Sequence, residues 1–188
     1  MDSLRPPTSR PRRVPALRTG TARPVLRGLP TLHPGLRPEP APAPAGLDTA
    51  LAVDAADPDA LFAFAAERMA GGRVRVAEDY ARRLAARHTR RSTALGHGLA
   101  LPHAASGYAN GVQALYLRTR APLDFDAPDG EPVSDFLFLV VPRPASSAHS
   151  ELLEALQEAF GLPRLRRELR QERPEAVLAE LWQRVRRR

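Results

Sequence analysis

The amino-acid sequence predicts an α/β domain, a layered sandwich with a central mixed β-sheet flanked by helices and preceded by a disordered Arg/Pro-rich tail. Three observations carry this prediction. Apolar residues recur at helical spacing over 57–72 and 76–87. The texture then turns extended, with a near-continuous apolar run at 133–142, and helical spacing resumes from 149 to the end. Helices before and after strands that are buried on both faces make a layered domain. A chain of 188 residues suffices for one such domain and is short for two, so the expected organisation is a tail at 1–46 and a domain at 47–188.

The tail holds eight arginines against two acids, Asp2 and Glu39, and eleven of the 20 prolines, ending in "RPEPAPAPAG". It shows neither a period of two nor one of 3.6, so it is expected to be disordered with stretches of polyproline II. Most of the formal charge of +7 therefore sits outside the domain. A solvated leader is the plain reading. Nucleic acid is expected at most as a weak, salt-sensitive partner of this basic segment, and His33 within it is given no role. Cysteine is absent, which excludes disulfides and thiolate metal sites. No apolar stretch has the length of a signal peptide or a membrane span, so a cytoplasmic protein is expected.

Order is expected from Leu47. "DPDALFAFAAERMAGG" opens with Asp57 as N-cap and Pro58 in the first turn, places Leu61, Phe62, Ala65 and Met69 on one face, and stops at Gly71-Gly72. "VAEDYARRLAAR" (76–87) sets Val76, Tyr80 and Leu84 four apart, with its arginines on another face. "LALP" (99–102) and "GVQALYLRTR" (111–120) read as strands, and "VSDFLFLVVP" (133–142) as a strand buried on both faces. Pro128-Asp129-Gly130 is a turn. "HSELLEALQEAFG" (149–161) carries Leu152, Leu153, Leu156 and Phe160 on one stripe and ends on glycine. Two further helices follow, "LPRLRRELRQ" with proline in its first turn, and "RPEAVLAELWQRVRRR" with Leu178, Leu181, Trp182 and Val185 as the buried side.

The chemistry concentrates around "STALGHGLALPH". His103 follows Pro102 and is expected at the carboxyl edge of the strand 99–102, where α/β sheets present their sites. Neutral imidazole is a good nucleophile near pH 7, and a fixed tautomer leaves one ring nitrogen free to attack phosphorus. Gly96 and Gly98 frame His97 in a loop that could turn backbone N–H groups toward an anion, and Ser92 and Thr93 add hydroxyl donors. His149 opens a helix after the central strand and could reach the same edge. These groups suit an anion and call for no metal.

"RHTRRSTALGHGLALPHA", "APLDFDAPDGEPVSDFLFLVVP" and "SSAHSELLEAL", in that order, resemble the type-2 IIA domains of the bacterial phosphotransferase system, the mannitol/fructose class, and most closely its nitrogen-regulatory branch. The likeness covers about residues 50–172. It implies that His103 is phosphorylated on Nε2 by the phosphohistidine of a small phosphocarrier protein, that His149 is the second active-site histidine, and that Arg87 helps hold the phosphoryl group. It also implies that Gly96, Gly98 and Ala100 shape the pocket, and that no cofactor is needed.

The chain departs from the family pattern at four places. His88 stands where glutamate is usual, Ala94 and Arg91 where glycine is usual, and His97 where asparagine is frequent. Arg90 and Arg91 read as a solvated turn. A regulatory phosphohistidine carrier is the function expected. The alternatives are a IIA component serving a separate IIB of a sugar permease, and a partner-binding domain that has lost phosphorylation through the change at 88.

Overall fold

The computed structural model describes residues 47–171 and 174–185. The predicted Arg/Pro-rich tail lies outside the described residues, as does the side chain of Val185. The chain runs β1 (Leu47–Val53), α1 (Pro58–Ala70), α2 (Val74–Arg90), β2 (Ala94–Gly96), β3 (Leu99–Ala100), β4 (His103–Ser106), β5 (Gln113–Leu123), β6 (Val133–Pro142), α3 (Ser147–Gly161), α4 (Pro163–Gln171) and α5 (Pro174–Val185). The strands form one six-stranded mixed sheet in the order β1-β5-β6-β3-β2, with β4 also pairing with β6.

The two central strands divide their side chains between two cores, as the period of two requires. Leu115, Leu117, Phe136 and Phe138 face Leu61, Phe62 and Ala65 of α1 and Leu84 of α2. Ala114, Tyr116, Leu137 and Leu139 face Leu156 and Phe160 of α3, Leu169 of α4, and Leu178 and Trp182 of α5. Three layers result, helices on sheet on helices, as the sequence predicts.

The helix starts follow local chemistry. Asp57 accepts the Ala60 N–H at 2.8 Å, Pro58 fills the first turn, and Gly71 ends α1 at φ 59°. The turn at 128–130 closes with the Gly130 N–H donated to the Ala127 carbonyl. β6 matches its predicted span, and β5 runs over 113–123 rather than 111–120, whereas three further features differ. β1 and β2 were not expected: β1 is an edge strand parallel to β5 with no fully apolar face, and β2 has three residues. The helix predicted over 76–87 runs from 74 to 90. Strand 99–102 is corrected to two short strands, β3 and β4, separated by Leu101-Pro102.

That break leaves the register intact. Leu99 and Ala100 pair with Asp135 and Phe136, and His103 and Ala104 pair with Leu139 and Val140, all parallel to β6. Proline has no N–H to give the ladder, yet the Pro102 carbonyl still accepts the Leu139 N–H at 2.9 Å. Truncation on β6 should be felt by the whole sheet: Phe138→Ala, a fully buried side chain, is expected to lower unfolding free energy by about 3–5 kcal/mol in urea titration.

Candidate functional site

His103 sits at the amino end of β4, in the middle of an interrupted strand; this corrects the expected position at a strand's carboxyl edge. Its ring is fixed from both sides. Nδ1 lies 2.9 Å from the Leu101 carbonyl, and Nε2 lies 3.2 Å from Arg87 Nε. A carbonyl can only accept, so Nδ1 carries the proton, and Nε2 keeps a lone pair that accepts the Arg87 N–H. Burial pushes the imidazole pKa down, opposed by the Leu101 hydrogen bond and reinforced by the Arg87 charge. Near neutrality the ring is uncharged, with Nε2 as its unprotonated nitrogen.

Arg87 is itself held at the end of α2, whose C-cap is Arg91. Its Nη1 donates to the Arg91 carbonyl at 2.9 Å, where the helix leaves carbonyls unpaired. On the same side, Arg82, Arg83 and Arg90 of α2 and Arg143 beyond β6 line a cleft of about 690 Å³ that opens onto His103. Val141 and Leu153 give it an apolar floor.

Asp79 organises part of this wall from behind. It is buried, and it accepts from Ser106 Oγ, Arg82 Nη2 and Arg83 Nε, each at 2.6 Å. Burial alone would raise its pKa, but the bonds from Arg83 and Ser106 outweigh it and hold the carboxyl below its ordinary range. Because Ser106 ends the strand that His103 begins, this carboxylate ties α2 to β4 directly. The composition gave no hint of this role, since an acid inside a helical stretch reads as a solvated face.

The other predicted site residues are placed elsewhere. His149 lies in the first turn of α3, where its Nδ1 accepts the Ser146 N–H at 3.0 Å. It stands one turn before Leu153 and makes no hydrogen bond with His103. Ser92 Oγ donates to the Phe125 carbonyl, and Thr93 is buried with its hydroxyl 3.5 Å from His88 Nδ1. Gly96 and Gly98 take φ of 86° and 74° around His97 at φ 57°, forming the β2–β3 turn. There Asp129 accepts the His97 N–H at 2.6 Å and Arg170 donates to the His97 carbonyl at 3.0 Å. A Cβ on Gly96 would lie 2.9 Å from the Asp129 carboxylate, so this turn is shaped by Asp129. None of Ser92, Thr93, Gly96 and Gly98 lines the His103 cleft. Ala100, expected to shape the pocket, belongs to the core shared with α1 and α2.

His88 answers the question raised by its unusual identity. Its half-buried ring packs, tilted, at the edge of the core against Phe125 at 4.1 Å and Phe62 at 5.7 Å. Burial lowers its pKa, with Asp126 opposing and Arg87 assisting. As for cations, His97, Asp129 and Glu131 bring ligand atoms within 4.8 Å of one another; all three are exposed, and Asp129 is already engaged by the His97 N–H.

The site thus sets an uncharged imidazole at an arginine-walled cleft, on a mixed sheet between helix layers. Residues 48–183 match the family model for "Phosphoenolpyruvate-dependent sugar phosphotransferase system, EIIA 2", and the chain belongs to that family. It is 43% identical over 74 residues to a nitrogen regulatory protein of Pseudomonas aeruginosa, an alignment covering 39% of this chain and 47% of that one. The chain thus spans about half the length of this curated relative. The crystal structure of the nitrogen regulatory protein IIA-Ntr from Neisseria meningitidis superimposes with a TM-score of 0.61 at 31% identity, covering 72% of this chain and 91% of that one. IIA mannitol from Escherichia coli shares the fold, with a TM-score of 0.56 at 16% identity over 72% and 95% of the two chains. Among the described residues, no helix is long and apolar enough to cross a membrane.

Two measurements check this geometry. Imidazole ¹⁵N spectra should show His103 protonated on Nδ1 and titrating below the ordinary histidine range, and Arg87→Ala should move that titration upward by removing a neighbouring charge and a burying side chain. His88 and His103 have folded-state pKa values below their unfolded ones, so the stability they contribute is present above the unfolded value and lost as pH falls through the folded ones. Denaturation midpoints should therefore fall between about pH 7 and about pH 5, and His88→Phe should shrink the fall.

Proposed function

We propose that this chain is a phosphohistidine carrier of the nitrogen-regulatory branch of the phosphotransferase system, working in the cytoplasm. It takes a phosphoryl group on His103 Nε2 from a small phosphocarrier protein. The observation that carries this reading is the tautomer lock: Leu101 holds the proton on Nδ1, and the unprotonated Nε2, engaged by Arg87, belongs to a residue lining an open cleft walled by arginine.

The step needs little more than alignment and positive potential. Nε2 attacks phosphorus in line, the N–P bond to the donor's imidazole breaks, and the donor nitrogen leaves with the bonding pair. The ring gains positive charge as the new N–P bond forms, and the Leu101 carbonyl facing Nδ1–H stabilises it. Arg87 releases its Nε–H from the lone pair and turns it to the equatorial phosphoryl oxygens. His149 has Nδ1 spent on Ser146 and does not line the cleft, so its part as a second imidazole rests on the family likeness.

The regulatory branch is favoured over service to a separate IIB by the higher identity to nitrogen regulatory proteins than to IIA mannitol. Loss of phosphorylation through His88 finds no support, since that ring packs on Phe62 and Phe125. Incubation with phosphoenolpyruvate, enzyme I and the phosphocarrier protein should add one phosphoryl mass to the chain. His103→Ala should abolish the gain and Arg87→Ala should slow it by about 10²-fold or more. An unmodified wild type after full turnover of the donor would rule the carrier reading out.

A further inference from the structure

We propose that the cleft around His103 is a docking surface for an acidic protein face, so that the phosphoryl donor presents carboxylates around its phosphohistidine. The inference rests on the reading of His103 as phosphoryl acceptor and adds the chemistry of the partner.

Five arginines line the cleft and no carboxylate does. The charge of Asp79, behind the wall, is shared by Arg82 and Arg83, and the Arg82 side chain is still 73% exposed. Arg87 is committed to His103 and the Arg91 carbonyl. Arg90 spends only Nε, on the Ala86 carbonyl of its own helix. Among the described residues, neither Arg90 nor Arg143 has an ion pair. Arg143 is carried into the cleft by its backbone, whose N–H donates to the Ser106 carbonyl at the end of β4.

One phosphoryl group, with about two negative charges, engages the arginine nearest Nε2. It leaves the outlying guanidiniums at 90 and 143 unneutralised when a partner covers them. Covering an unpaired cation is costly, and a neutral or basic face would be repelled. Carboxylates on the partner satisfy these groups at the rim, while Val141 and Leu153 supply the apolar centre that protein interfaces use. The only aromatic ring lining the cleft is that of His103, so it lacks the stacking platform expected of a nucleic-acid groove.

The test compares two donors by intact mass: the phosphorylated phosphocarrier protein of the same organism, and phosphoramidate, which has no docking face. Between about 30 mM and about 300 mM salt, kcat/KM with the protein donor is expected to fall about tenfold or more, and phosphoramidate labelling to fall about twofold or less. The Arg90→Glu/Arg143→Glu double variant should lose a further tenfold or so with the protein donor, chiefly in KM. The corresponding double lysine variant should stay within about threefold of wild type, and Arg164→Glu, on α4 and outside the cleft, should match it. A protein-donor rate insensitive to salt and to charge reversal overturns the acidic face, and so does an equal loss with both donors. Inhibition by a single-stranded oligonucleotide stronger than that by polyglutamate also overturns it. Labelling by neither donor would instead remove the reading of His103 on which the proposal stands.

Discussion

The pairing of β4 with β6 is the constraint on which the site depends. β6 is buried along nearly its whole length and pairs with β5 on one side and with both β3 and β4 on the other. Its N–H groups draw in Gly98 and Pro102 carbonyls across the gap at Leu101-Pro102, so the interrupted strand keeps one register. The gap turns the Leu101 carbonyl away from the ladder and onto the His103 ring. A break that would weaken an ordinary strand here produces the acceptor that selects the tautomer.

The two layers of helices serve the site unequally. α1 and α2 cover one face, and the last two turns of α2 supply Arg83, Arg87 and Arg90 to the cleft wall. Ser106 and Arg83 meet on a buried carboxylate, so the strand that carries the nucleophile and the helix that carries the cations cannot shift independently. On the other face, Arg118 bonds to Asp135 at 2.6 Å and to the Leu169 carbonyl at 3.0 Å, binding α4 to the sheet. A buried charge left with one partner fewer is strongly destabilising, which makes both networks rigid rather than adaptable.

Much of the fold was legible because its signals are local. Asp57-Pro58 and Gly71 mark the ends of α1, and the continuous apolar run through 136–141 is compelled by helices packed on both faces of the sheet. β1 escaped notice because LDTALAV has no fully buried face; pairing with β5 makes it a strand. The site was half legible. The family likeness pointed to His103 and Arg87, which the structure brings within 3.2 Å of each other, but Ser92, Thr93, Gly96 and Gly98, close to His103 in sequence, do not line its cleft. Proximity along the chain says little where a tight turn reverses direction, and the Gly96-His97-Gly98 turn points its amide at Asp129.

By itself the sequence determined most of the secondary elements and the layered class, because periodicity and caps are properties of short segments, and its family resemblance singled out His103 as the proposed phosphoryl acceptor. Only the tertiary structure decided which nitrogen of His103 carries the proton, what His88 packs against and which arginines share the cleft. Each of those depends on a partner that is distant in the chain or on a backbone direction set by the sheet. Asp79 shows why: read along α2 it is one more charged residue, and it becomes a buried organiser only when β4 brings Ser106 against it.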